Sequence, residues 1–145
     1  MEVPKRLVLD TTALVNHLRP RQKQSSVTKL QGFAELATTQ INLFELYLGA
    51  YKARDVVLNL ASVKGFTSTI KVLPFTDRAV ETAGKTLAGL EKSGHRIEIR
   101  DLFIGSIALE EGYAVLTENK EHFKRISGLR VVTEQEILEK LDKNP

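Results

Sequence analysis

The chain has 145 residues, the usual size of one domain and enough for one hydrophobic core. Apolar residues make up 42%, as in ordinary globular proteins, and there is no cysteine, which excludes disulfides and thiolate metal sites and favours an intracellular, cytoplasmic home. The net charge of +3 fits a polyanionic partner and a solvated Lys/Glu-rich surface equally.

The opening MEVPKRLVLD carries a basic pair but an apolar run of only Leu7 to Leu9, too short for a secretory signal. No run approaches the roughly 20 apolar residues that span a bilayer. Arg6-Leu-Val-Leu9 reads as a buried first strand stopping at Asp10. Thr11 and Thr12 open a short helix ending near Leu18, and Arg19-Pro20-Arg21 breaks it, since proline disfavours helix at the preceding residue. A helix is expected over 24–36 and a short strand over Ala37-Thr-Thr39. The apolar positions of Ile41 to Ala53 predict a well-buried helix, followed by another over 54–64. Ile70-Lys-Val-Leu73 is a strand closed by Pro74. Asp77 to Lys92 is a long helix ended by Ser93-Gly94, and Arg100 to Glu111 is a helix ended by Gly112. Tyr113-Ala-Val-Leu116 is a strand, 119–126 a short helix, and Leu129 to Val132 the last strand. Thr133-Glu-Gln-Glu136 has the spacing of a capping box and opens the final helix. No linker or repeat divides the chain, so one domain is expected over 1–142, with 143–145 as a flexible tail.

Strands alternate with helices throughout, the pattern of an α/β fold with a parallel sheet covered on both faces. Active sites in such sheets gather beyond the carboxyl ends of the strands. Asp10 stands at one such end, where it reads as a helix N-cap or as a functional carboxylate. Glu45 lies among Phe44, Leu46, Tyr47 and Leu48, where a carboxylate needs a partner unless it joins Asn42 and Lys52 on an exposed stripe. Asp101 begins a strongly apolar helix, as its cap or as a site residue. Thr117-Glu-Asn119 follows another strand. Two like charges about 4 Å apart repel by roughly 4 kcal/mol at an effective dielectric near 20, so clustered carboxylates call for a counter-charge. With oxygen ligands only, Mg²⁺ or Mn²⁺ is the natural one, and such ions suit phosphodiester hydrolysis.

Rival chemistries are weak. Gly89 to Gly94 has phosphate-loop spacing, but His-Arg follows it rather than Lys-Ser/Thr. His17, His95 and His122 are too scattered for a zinc site and read as surface or packing residues. Lys120, Lys124 and Arg125 read equally as RNA-phosphate contacts and as a solvated face. Asp77, Glu81 and Glu91 fit an exposed helix side.

Together, Leu7-Val-Leu-Asp-Thr-Thr-Ala-Leu-Val15, Ile41-Asn-Leu-Phe-Glu-Leu-Tyr-Leu-Gly-Ala50 and Gly94 to Val132, with its Thr117-x-Asn119-x-x-x-Phe123 stretch, resemble a PIN domain of the VapC toxin type. The resemblance implies a three-layer α/β/α sandwich around a short, mostly parallel sheet. It also implies a Mg²⁺- or Mn²⁺-dependent endoribonuclease that cuts single-stranded RNA to leave a 5′-phosphate and a 3′-hydroxyl. Asp10, Glu45 and Asp101 would hold metal, with a cluster charge near −3. Thr12 and Thr117 would orient carboxylates or water. Asn119 stands where the family often has a fourth acid, with Glu118 and Glu121 beside it. The implied partners are RNA, a silencing antitoxin and a second copy of the chain, for which the apolar surplus over 41–63 offers a surface. A PIN nuclease of RNA processing without antitoxin, and a catalytically weak RNA-binding module, are the alternatives.

Overall fold

The structure, a computed structural model, describes residues 2–18 and 26–143, apart from the side chains of Asn16, His17 and Ser26. The readings made at Arg19-Pro20-Arg21, at 24 and 25, at the His17 side chain and at Asn144-Pro145 lie outside the described residues.

The elements run β1 (Arg6–Leu9), α1 (Thr11–Leu18), α2 (Ser26–Leu30), β2 (Glu35–Thr39), α3 (Gln40–Lys52), α4 (Val56–Thr67), β3 (Lys71–Leu73), α5 (Asp77–Lys92), α6 (Ile99–Glu111), β4 (Ala114–Leu116), α7 (Lys120–Phe123), β5 (Val131–Val132) and α8 (Glu134–Lys143). The strands form one sheet in the order β3-β2-β1-β4-β5, and every pairing is parallel. Successive side chains of a strand point to opposite faces, and that alternation divides the core in two. Leu7, Leu9, Ala114, Leu116 and Val132 pack against Leu14, Val27, Leu30, Leu46, Val63 and Ile137 on one side. Val8, Ala37, Leu73, Val115 and Val131 pack against Ala79, Ile104, Ile107, Phe123 and Ile126 on the other. This is the three-layer sandwich that the resemblance implies.

The largest departures from the expected boundaries lie at α2 and β2, while α7 and β5 are shorter than expected, at Lys120–Phe123 and Val131–Val132. The helix expected over 24–36 stops at Leu30, and the strand expected over 37–39 begins at Glu35. Long-range partners decide it: Glu35 N donates to Lys5 O at 2.7 Å, and Glu35 pairs with Arg6 and accepts from the Tyr113 hydroxyl. The capping box forms, with Thr133 Oγ1 accepting from Glu136 N at 3.2 Å. At the end of α6, Gly112 takes φ 78°, where only glycine closes a helix without strain.

The parallel pairing aligns three strand ends. Leu9 stands opposite Leu116, so Asp10 and Thr117 emerge side by side, and Asp10 N donates to Leu116 O at 3.0 Å. Thr39, the last residue of β2, caps α3 by accepting from Asn42 N at 3.2 Å. β1 lies at the point where the chain turns from building one half of the sheet to the other, the place where α/β sheets form their clefts.

Candidate active site

Asp10 is the first residue beyond β1, and its backbone carbonyl accepts from Leu14 N to start α1. Its carboxylate is 5% exposed and well supplied with donors. Oδ1 accepts from Thr11 N at 2.7 Å, Asn42 Nδ2 at 3.2 Å and Arg100 Nη2 at 2.8 Å, and Oδ2 accepts from Thr117 Oγ1 at 2.7 Å. Asp10 therefore starts the helix through its backbone carbonyl, while its carboxylate is held by Arg100 and Thr117.

Glu45 comes from the second turn of α3. Its Oε1 accepts from Thr11 Oγ1 at 2.5 Å and from Arg100 Nη2 at 2.7 Å, and its Oε2 accepts from Arg100 Nε at 2.7 Å. The exposed-stripe reading fails, since Asn42 is fully buried, donates to Asp10 and Thr11, and is fixed by Thr39 Oγ1 at 2.7 Å.

Asp101 is not the cap of its helix. Glu98 holds that position, and Asp101 is the third residue of α6, fully buried. Its Oδ1 accepts from Arg100 Nη1. Its Oδ2 accepts from Asn119 Nδ2 at 2.8 Å and lies 3.0 Å from His122 Nδ1. Burial raises the Asp101 pKa above the ordinary carboxylate value, against the opposing effects of His122 and Arg100, with the charges of Asp10 and Glu98 adding to the rise.

The carboxylates of Asp10, Glu45 and Asp101 thus converge on one guanidinium at the carboxyl edge of the sheet. Oxygens of Asp10 and Glu45 touch the same nitrogen of Arg100, so they stand no further apart than those two bonds allow. Arg100 cuts the cluster from the expected three negative charges to two. Burial opposes its charge, but the hydrogen bonds and charges of Glu45 and Asp10 outweigh that and hold its pKa far above the usual value.

Thr117 and Asn119 join the cluster, Thr117 Oγ1 also accepting from Asn119 N at 3.0 Å. Thr12 does not: it is exposed, and the hydroxyl that enters the site is that of Thr11. One residue along a helix turns the side chain by about 100°. Glu118 and Glu121 are exposed. Sequence reasoning missed Arg100, Asn42 and Thr11, and it set His122 aside, although His122 Nδ1 also lies 2.9 Å from Asn119 Nδ2. Lys120 is engaged with Glu136 of α8 at 2.5 Å, while Lys124 and Arg125 are exposed.

The donor set suits a hard divalent ion: buried oxygens, net negative charge and hydrogen bonds that fix each carboxylate. The present spacing is that of a guanidinium. Among the described residues no three acidic or histidine side chains close round one metal-sized point.

A PIN-domain family profile matches residues 7–129. The curated relatives include the tRNA(fMet)-specific endonuclease VapC of Salmonella typhimurium, 29% identical over 126 residues, covering 87% of this chain and 96% of that protein. Ribonuclease VapC2 of Rickettsia felis is 32% identical over 108 residues, covering 74% and 75%. The chain is a PIN-domain protein of the VapC type. Among solved structures, DNA-bound VapBC from Salmonella typhimurium superposes with a TM-score of 0.80 at 28% identity, covering 89% of this chain and 98% of the other. VapBC2 from Rickettsia felis, bound to a DNA fragment from its promoter, gives 0.78 at 26% identity, covering 88% and 98%.

Proposed function

We propose that this PIN-domain protein is a divalent-metal-dependent endoribonuclease of a toxin–antitoxin pair, acting in the cytoplasm on single-stranded RNA and silenced by a cognate antitoxin. The observation that carries this reading is the convergence of Asp10, Glu45 and Asp101 on a single cation at the strand ends. The relatives that bear ribonuclease names, and the VapBC complexes of the same fold, support it.

Asp10, Glu45 and Asp101 would hold Mg²⁺ or Mn²⁺, which when bound supplies Lewis-acid activation of water and of the phosphoryl group. The chain's own residues then have separable tasks. Thr117 and Asn42 fix the Asp10 carboxylate from two sides. Asn119 donates to Asp101, and so tunes an existing ligand rather than adding a fourth charge. Glu45, Arg100 and His122 are each about a quarter to a third exposed, so the cluster opens to solvent on their side, where an RNA backbone would approach.

Two apolar surfaces fit the proposed protein partners. Val15 and Leu18 of α1, Leu46 and Ala50 of α3, and Leu58 and Val63 of α4 line a groove that also holds Glu45, a seat for an apolar antitoxin segment beside the active site. Phe44, Leu48 and Tyr51 form an exposed stripe on α3, suited to a homodimer. Light scattering should show a dimer that Phe44→Glu dissociates; a monomeric wild type at micromolar concentration refutes this part.

The test of activity is cleavage of single-stranded RNA with and without EDTA, in the wild type and in Asp101→Asn and Asp10→Asn. Chelation and either substitution should each abolish cleavage, with thermal melting confirming that the variants fold. Cleavage that survives chelation and substitution overturns the carboxylate–metal reading.

A further inference from the structure

The three carboxylates read above as ligands of a divalent ion already share a cation that belongs to the chain. Arg100, second residue of α6, takes Asp10 Oδ1 and Glu45 Oε1 with one nitrogen, Glu45 Oε2 with another and Asp101 Oδ1 with the third. The outer oxygens, Asp10 Oδ2 and Asp101 Oδ2, face Thr117, Asn119 and His122 instead. Arg100 therefore holds the oxygens that face the middle of the cluster, which are those a shared ion would use.

A guanidinium and a divalent ion make incompatible demands on those oxygens. The guanidinium fork keeps them apart at hydrogen-bond distances, whereas a divalent ion draws its ligands to within about 2.6 Å of one point. As the side chains stand, no three of them close round such a point among the described residues. Both cations on the same oxygens would also place like charges side by side in a half-buried site.

Two of the three carboxylates are held in place by their burial. Asp101 is fully buried and Asp10 nearly so. Arg100 can move. Its side chain is 29% exposed, and its neighbours at the start of α6, the cap residue Glu98 and the half-exposed Ile99, border solvent. Rotation about its own side-chain bonds carries the guanidinium out without disturbing the helix.

We propose that Arg100 is an exchangeable internal counter-ion: its guanidinium and the divalent ion alternate on the Asp10–Glu45–Asp101 cluster, and metal loading turns the Arg100 side chain out to solvent. The proposal rests on reading the cluster as a metal site. Without metal, Arg100 neutralises buried charge and keeps the cluster folded. With metal, the ion must first displace it, so the apparent affinity is the intrinsic affinity reduced by the fraction of chains with Arg100 out.

Calorimetric titration of the RNA-free protein with Mn²⁺ tests this in the wild type, Arg100→Gln and Arg100→Lys. Arg100→Gln should bind Mn²⁺ about tenfold more tightly or better, as expected if fewer than about one chain in ten has Arg100 out. It should also melt lower than the wild type in EDTA and gain more on adding Mn²⁺. Arg100→Lys keeps a competing charge and should stay within a few-fold of the wild type. Equal or weaker binding by Arg100→Gln overturns the exchange while leaving the metal site standing. Absence of binding in all three proteins overturns the metal site and the exchange together. A measurement on the unaltered chain covers the case of a misfolded variant. The Arg100 Nε–H resonance, assigned by its loss in Arg100→Lys, should move to a solvent-exposed shift and lose its exchange protection as Mg²⁺ saturates the site. A resonance unchanged at saturating Mg²⁺ overturns the proposal.

Discussion

Thr117 carries a large share of the site's order through one hydroxyl, and Thr117→Val isolates it. The residue is 3% exposed, its Oγ1 donates to Asp10 Oδ2 at 2.7 Å, and it accepts from Asn119 N at 3.0 Å. Valine nearly conserves volume, so little packing changes. What disappears is a hydrogen bond to a carboxylate, about 1.5–3 kcal/mol, and the partner of a half-buried backbone N–H, about 1 kcal/mol. The expected loss is about 2.5–4 kcal/mol, or roughly 8–13 °C in melting temperature for a domain of this size. Thr117→Ser keeps the hydroxyl and gives up one methyl group, about 1 kcal/mol. Urea unfolding of the three proteins in EDTA reads these differences directly. In Mn²⁺ titrations the valine variant should bind about 10–100-fold more weakly, as when an orienting partner of a ligand is lost. A valine variant within about 0.5 kcal/mol of wild type, or a serine variant as damaged as the valine one, refutes the account, because the hydroxyl would then not be what orders Asp10.

Gly105→Ala should destabilise by about 1–3 kcal/mol in thermal melts, since its Cβ would overlap Ile126 Cδ1 and crowd Leu129 Cδ2 at 3.1 Å; an unchanged melt shows that these side chains yield. Ser106→Ala should be neutral or stabilise by up to about 1 kcal/mol, because the buried Ser106 hydroxyl has no hydrogen-bond partner among the described residues; a loss beyond that range contradicts this. Glu136 has its pKa lowered, chiefly by the Lys120 hydrogen bond, so its contribution to stability is present above the ordinary value of 4.5 and is lost as pH falls through the lowered one. Glu136→Gln should accordingly flatten the fall in melting temperature below pH 4.5, and an acid profile parallel to that of the wild type counts against the α7–α8 tie.

The sheet was readable where strands are buried on both faces. Leu7-Val8-Leu9, Ala114-Val115-Leu116 and Val131-Val132 are continuous apolar runs because alternate residues enter different cores. β2 was readable only over 37–39, because its first residue is charged. Glu35 belongs to the strand through Lys5, Arg6 and Tyr113, which are distant in sequence and leave no periodic trace.

The same distinction separates the two kinds of site residue. Asp10, Glu45 and Asp101 could be singled out because each is an acid set in an apolar run or at a strand end, a local contradiction visible without knowing the fold. Arg100 is no contradiction where it stands, an exposed-looking cation in the first turn of a helix. Its partners Asp10 and Glu45 lie 90 and 55 residues away, and only the parallel register that sets β1 beside β4 brings them within reach. The acids imply a counter-charge, but not whose. A guanidinium meets that need as a metal ion would, and Arg100 is the cation that the structure sets on all three acids.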